Sequence, residues 1–260
     1  MKLKFATKTF IVSNVIFILF RSLQIILLTE STTAFLKRNF IVLNIIGTVI
    51  CFLVLIYTAL NSFLAIRQPK EINNIGLPTA ILTVVSGLLL CINGGLMIVN
   101  QGIAWKTLLL LTLFSALGMF LFAASSILDY KFPKIAPIGF IALFLFEFLI
   151  SYTYYSEHPL RIGAVYTILA ICVSLLFYLA FGKIVSGVSK TKSFRYMYPL
   201  GLTASTFCFV ATVPEIIAKI LGFSENISPA YNNLWLLLGN GIFIATVTLN
   251  TFKKSNTFRN

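Results

Sequence analysis

Eight apolar stretches, each close to the length that carries a helix across a bilayer, make up most of this 260-residue chain. They run approximately over residues 9–28, 40–66, 77–99, 107–128, 136–155, 162–181, 197–221 and 231–250. About 20 mostly apolar residues suffice to cross the hydrocarbon core as an α-helix. In lipid every backbone N–H and C=O must be satisfied within the protein, which leaves helices as the structure open to stretches of this length. The pattern therefore predicts an all-α fold: a polytopic transmembrane helix bundle of about eight spans forming a single membrane domain.

Composition excludes the soluble alternatives. Hydrophobic residues are 58% of the chain and charged ones 10%, against roughly 45–50% and about 25% in soluble proteins. The formal net charge of +13 raises the question of nucleic acid. Nucleic-acid binding requires basic residues gathered on one solvated face. Here they are scattered in short gaps between apolar runs, so the expected partner is the lipid bilayer and not nucleic acid. Another membrane protein or a second copy of the chain is the further partner to expect, because no loop is long enough to fold alone.

The basic residues instead set an orientation, since Lys and Arg are held on the cytoplasmic side of membrane spans. Alternate loops on one side, with both termini, collect 14 of the 20, among them Lys2, Lys4, Lys8, Lys183, Lys190, Lys192 and Arg195. The opposite loops hold four: Lys37, Arg38, Lys106 and Arg161. The remaining two, Arg21 and Lys219, fall inside spans. This asymmetry predicts a multi-pass membrane protein with both ends in the cytoplasm. The first stretch reads as a retained helix, not a signal peptide, because Arg21 interrupts it and no small-residue cleavage site follows. The longest loop, residues 182–196, reads as a solvated basic hinge.

Catalytic and cofactor signals are sparse. The four cysteines, Cys51, Cys91, Cys172 and Cys208, lie within apolar runs, where cysteine behaves as a small hydrophobe. With no Cys/His spacing and one histidine, His158, neither a metal site nor a haem is expected. There is no HExxH motif, no paired Asp-rich prenyl-diphosphate motif, no GxSG-type intramembrane serine site and no nucleotide loop. The chain is expected not to be an enzyme and to need no cofactor.

Ionisable residues inside a span are expensive and tend to have partners. Arg21 and Glu147 fall just past the middle of the first and fifth spans, which run in the same direction, so equal depth predicts an ion pair between them. Glu215 and Lys219 stand four residues apart on the seventh span, the spacing of a favourable helical pair, just after Pro214. A third group, Glu30, Glu157, His158, Arg161 and Glu225, falls at the outer side beside the interfacial tyrosines Tyr152, Tyr154 and Tyr155.

Small residues recur every four positions in the third span, at Thr83, Gly87, Cys91 and Gly95. Such a stripe lets helix backbones approach closely in lipid, and the seventh span, with Gly201, Ala204, Ser205, Cys208 and Thr212, is its expected contact. A faint match between the halves also points to two parallel four-helix repeats, residues 1–130 and 131–260.

Two segments carry a family resemblance: Arg21-Ser22-Leu23-Gln24 followed by Thr29-Glu30-Ser31-Thr32-Thr33-Ala34-Phe35, and the region from Glu147 to Gly187. Through them the chain resembles a family of uncharacterised eight-helix integral membrane proteins of clostridia and related bacteria. The resemblance implies the topology and carries no activity. Two functions follow as expectations. One is a small sensor or accessory membrane protein that binds a lipid-like or small apolar ligand and acts through partners. The other is a small secondary transporter with Glu147 as its proton or cation coupling site.

Overall fold

The structure, a computed structural model, describes residues 2–30, 37–65, 76–97, 103–128, 132–157, 162–188, 190–223 and 234–256. These form eight α-helices: α1 (Lys2–Leu23), α2 (Ile41–Ala65), α3 (Leu77–Met97), α4 (Ile103–Ile127), α5 (Ala136–Glu157), α6 (Ile162–Val185), α7 (Lys190–Ile220) and α8 (Leu234–Asn256). A π-helical turn, Gln24–Leu28, continues α1. Among the described residues seven helices are long and apolar enough to cross a membrane, and α8 contributes a shorter apolar segment, Leu234–Asn250. The protein is an all-α, multi-pass membrane protein.

The helices divide unequally. α3 packs along α4 and α8, α4 along α5, α5 along α6, α6 along α7, and α7 along α8. This closes six helices into one cluster. α8 lies at its heart: Phe243, fully buried, meets Phe122 of α4, Phe140 of α5 and Phe181 of α6. The hairpin of α1 and α2 is attached to this cluster through α7. Only 17% of the α2 span is buried, compared with 61% of α7, so α2 is the peripheral helix and presents most of its apolar side chains to lipid. Between the two halves, the α1–α2 contact corresponds to α5–α6 and the α3–α4 contact to α7–α8. α6 lies along α7, whereas its counterpart α2 lies along α1 and α7 instead of α3.

α7 is the strut that carries the hairpin. At one end the hydroxyls of Thr7 and Tyr198 hydrogen-bond at 2.9 Å, and Arg195 sits 4.1 Å over the Phe63 ring while its Nε donates to the Phe63 carbonyl. Further along, Phe52 packs on Phe207 with ring centroids 5.6 Å apart. With 31 residues α7 is roughly 46 Å long, well beyond the ~30 Å hydrocarbon core, and it runs helically through Pro199 and Pro214. This corrects the hinge expected at 182–196. α6 continues to Val185, α7 begins at Lys190, and Gly187, at φ +82°, makes the tight reversal between them. That left-handed conformation is one that glycine adopts without a Cβ penalty.

Close approach of backbones rests on particular glycines. A Cβ on Gly239 would stand 2.8 Å from the Ser86 carbonyl oxygen and 2.8 Å from Leu90 Cδ1, so α8 and α3 meet almost backbone to backbone there. Gly87 faces Phe120 of α4. Gly95, expected in the same stripe, has nothing within 4 Å of its Cβ position. Four residues turn a helix by about 400°, so a four-residue repeat drifts some 40° per step. Three steps from Thr83 carry Gly95 off the packed face. Gly94 takes its place, against Leu109 and Thr112 of α4, while Cys91 is half-buried. The partners of α3 are α4 and α8; α8 stands where α7 was expected.

Candidate functional site: a polar cluster at one end of the bundle

The ends of four helices converge on one polar cluster. Arg21 comes from the last turn of α1, Asn44 and Thr48 from the start of α2, Gly163 and Tyr166 from the start of α6, and Glu215 from the end of α7. Antiparallel alternation puts these four ends on the same side of the membrane. The Arg21 side chain is buried; its Nη1 donates to Gln24 Oε1 at 3.0 Å, three residues on and therefore on the same helix face. Gln24, in the π-helical turn, in turn donates through Nε2 to Asn44 Oδ1 and, at 3.4 Å, to Thr48 Oγ1. A π-turn inserted at the end of a helix is a feature that recurs at functional sites. Here it turns the fully buried amide of Gln24 between α1 and α2.

The guanidinium also lies against α6. Its Cζ is 5.1 Å from the centroid of the Tyr166 ring, the range of a cation–π contact. Its Nη2 stands 3.4 Å from the place a Cβ on Gly163 would occupy, and Glu215 Oε1 stands 3.6 Å from that same place. The two charged atoms are therefore no more than about 7 Å apart, inside the roughly 8 Å screening length of physiological salt. Glu215 has Arg21 and Lys219 as its charged neighbours, and Arg21 has Glu215. Gly163 and Glu215 are only half-buried, so the cluster opens outward between α6 and α7.

Depth follows from the helix registers. Arg21 lies seven residues before the end of its span at Leu28, about 10 Å below it along the axis. Gly163, however, is the first residue of the sixth span. The Arg21 side chain thus reaches up its own helix end, as long cationic side chains do near an interface, and sets its charge at head-group level.

The residues singled out by sequence are distributed as follows. Arg21 and Glu215 are brought together, and the acid beside Arg21 is Glu215 instead of Glu147. Side-chain reach explains the change: equal backbone depth does not give contact, because α1 packs on α2 and α7 while α5 packs on α4 and α6. Lys219 is exposed, one turn beyond Glu215. Glu147 is fully buried on α5. Phe140 stacks on Tyr178 of the antiparallel α6 and Phe144 packs against it at a tilt, with centroids 4.8 and 5.4 Å away. Glu147, a turn beyond Phe144, therefore comes level with Ser174, a turn before Tyr178. His158, Arg161 and Glu225 lie outside the described residues, Glu30 is exposed, and Tyr152 faces outward at 64% exposure.

A second polar group, at mid-span, was not anticipated. Tyr178 Oη donates to Asn240 Oδ1, and Asn240 Nδ2 donates to Ser174 Oγ at 2.8 Å and to Cys208 Sγ at 3.4 Å. All four side chains are fully buried, and they tie α6, α7 and α8 together. An amide midway along the eighth apolar stretch is the sequence signal that could have found it. Among the described residues no group of three or more His, Cys, Asp or Glu is placed to hold a metal. No family model, curated protein or solved structure matches the chain.

Proposed function

We propose that this protein is a small membrane sensor or accessory protein of the bacterial cytoplasmic membrane that binds a lipid-like ligand and acts through a partner. Both termini lie in the cytoplasm in this reading, and the role is binding, not catalysis. One observation carries it: charged and other polar side chains from four helix ends converge at head-group depth, beside the thinly covered helix α2. An amphiphile suits that setting, with its polar head at Arg21 and its chain on the apolar flank. Kinship with the clostridial eight-helix family belongs to the same proposal and bears on topology alone.

The test is purification in native lipid followed by mass spectrometry of whatever stays bound, for the wild type and for Arg21→Gln. Retention of a defined amphiphile by the wild type and its loss from the variant is the expected result. Identical bound lipid in both proteins contradicts the reading.

A second reading rests on Glu147. A fully buried carboxyl near the middle of a span is the usual mark of an ion or proton path, and its level coincides with Ser174 of the Tyr178–Asn240 network. Transport coupled at Glu147 predicts proton flux in proteoliposomes that Glu147→Gln abolishes. Absence of flux in the wild type leaves the binding role alone.

A further inference from the structure

Resting on the lipid-binding reading, we infer that the ligand's head is a zwitterion: an anionic group for Arg21 and a primary ammonium for Glu215, seated in the notch left by Gly163. Three observations converge on this. Arg21 Nη2 and Glu215 Oε1 flank one point, the empty Cβ position of Gly163, at 3.4 and 3.6 Å. That point has room because glycine supplies no side chain, and it is open because Gly163 and Glu215 are half-buried. The Arg21 guanidinium that reaches this point is held over the Tyr166 ring, 5.1 Å from its centroid.

The charges select the class. A head bearing only negative charge meets Arg21 favourably and Glu215 unfavourably. A quaternary ammonium brings charge to Glu215 but has no N–H to donate. A primary ammonium donates to the carboxylate while the anionic group accepts from the guanidinium, and both hydrogen bonds are then charge-assisted. Depth agrees, since the notch is level with the first residue of the sixth span, where lipid heads lie.

The test uses the full chain, purified, stripped of lipid in neutral detergent and offered an equimolar mixture of phosphatidylethanolamine, phosphatidylcholine and phosphatidylglycerol with identical chains. Bound lipid is counted by mass spectrometry. The wild type is expected to enrich phosphatidylethanolamine about tenfold over each of the others, the scale of one charge-assisted hydrogen bond. Glu215→Gln should erase that preference while lipid still binds. Gly163→Leu, which fills the notch, should expel the lipid, which keeps the inference testable if Arg21 variants fail to fold.

Equal retention of all three lipids, or enrichment of phosphatidylglycerol, overturns the zwitterion and leaves lipid binding standing. No retained lipid of any kind overturns both. Glycerophosphoethanolamine, the head without chains, should not displace bound lipid at equal concentration. Displacement by it overturns the lipid as source in favour of a soluble zwitterion.

Discussion

Arg21 of the first helix and Glu215 of the seventh aim their charged ends at the same empty point above Gly163 of the sixth, from 3.4 and 3.6 Å away. Around that convergence the α1–α2 hairpin is joined to a six-helix cluster. At the opposite end the same hairpin is fastened by Thr7 to Tyr198 and by Phe63 to Arg195. α7 thus holds the hairpin at both ends, and the polar cluster is the end where a base and an acid, Arg21 and Glu215, face one point.

The proposed orientation has a direct readout. In a cysteine-free background, single cysteines at Asn39 and Phe223, both exposed at the Arg21 end, should react with a membrane-impermeant maleimide on intact cells. A cysteine at the exposed Ser186, in the reversal between α6 and α7, should react only after permeabilisation. The opposite labelling pattern reverses the topology.

The mid-span network should hold the central helices together. Asn240→Leu leaves the Tyr178 and Ser174 hydroxyls buried with their shared partner gone, and unfolding stability should fall by about 1–3 kcal/mol. Tyr178→Phe removes only one donor and should cost less. Thermal or chemical unfolding in a fixed detergent measures both, and equal stability of Asn240→Leu and wild type refutes the network's role.

Two glycines separate packing from composition. Gly239→Ala drives a methyl to 2.8 Å from the Ser86 carbonyl, a backbone atom that no rotamer change can move, so a loss of about 1–3 kcal/mol is expected. Gly95→Ala meets open space and should be neutral or stabilising, because Ala is favoured over Gly in a helix by about 1 kcal/mol. The same unfolding assay ranks them.

Much of this architecture was legible in the apolar runs, because length and hydropathy report on the membrane and need no knowledge of neighbours. The Glu215–Lys219 spacing was equally visible, being local to one helix. What escaped depends on which helices touch. Arg21 pairs toward Glu215 and not Glu147 because of the lateral order of α1, α7 and α5, and nearly uniform apolar sequence carries little information on order. Gly95 was misplaced by a four-residue repeat read as a straight stripe. The role of Gly163 lies in a missing side chain, which no pattern of chemistry-bearing residues signals. Gln24 and Asn240 were the readable exceptions: amides set well inside apolar stretches.

A double-mutant cycle on Arg21 tests the central claim most directly. Unfolding free energies are measured for Arg21→Gln, Glu215→Gln, Glu147→Gln and the two doubles that contain Arg21→Gln. The Arg21/Glu215 pair should show a coupling of about 0.5–3 kcal/mol, and Arg21/Glu147 should add to within about 0.5 kcal/mol. Additivity of Arg21 with Glu215, together with coupling to Glu147, would contradict the account and move the site to the fifth helix.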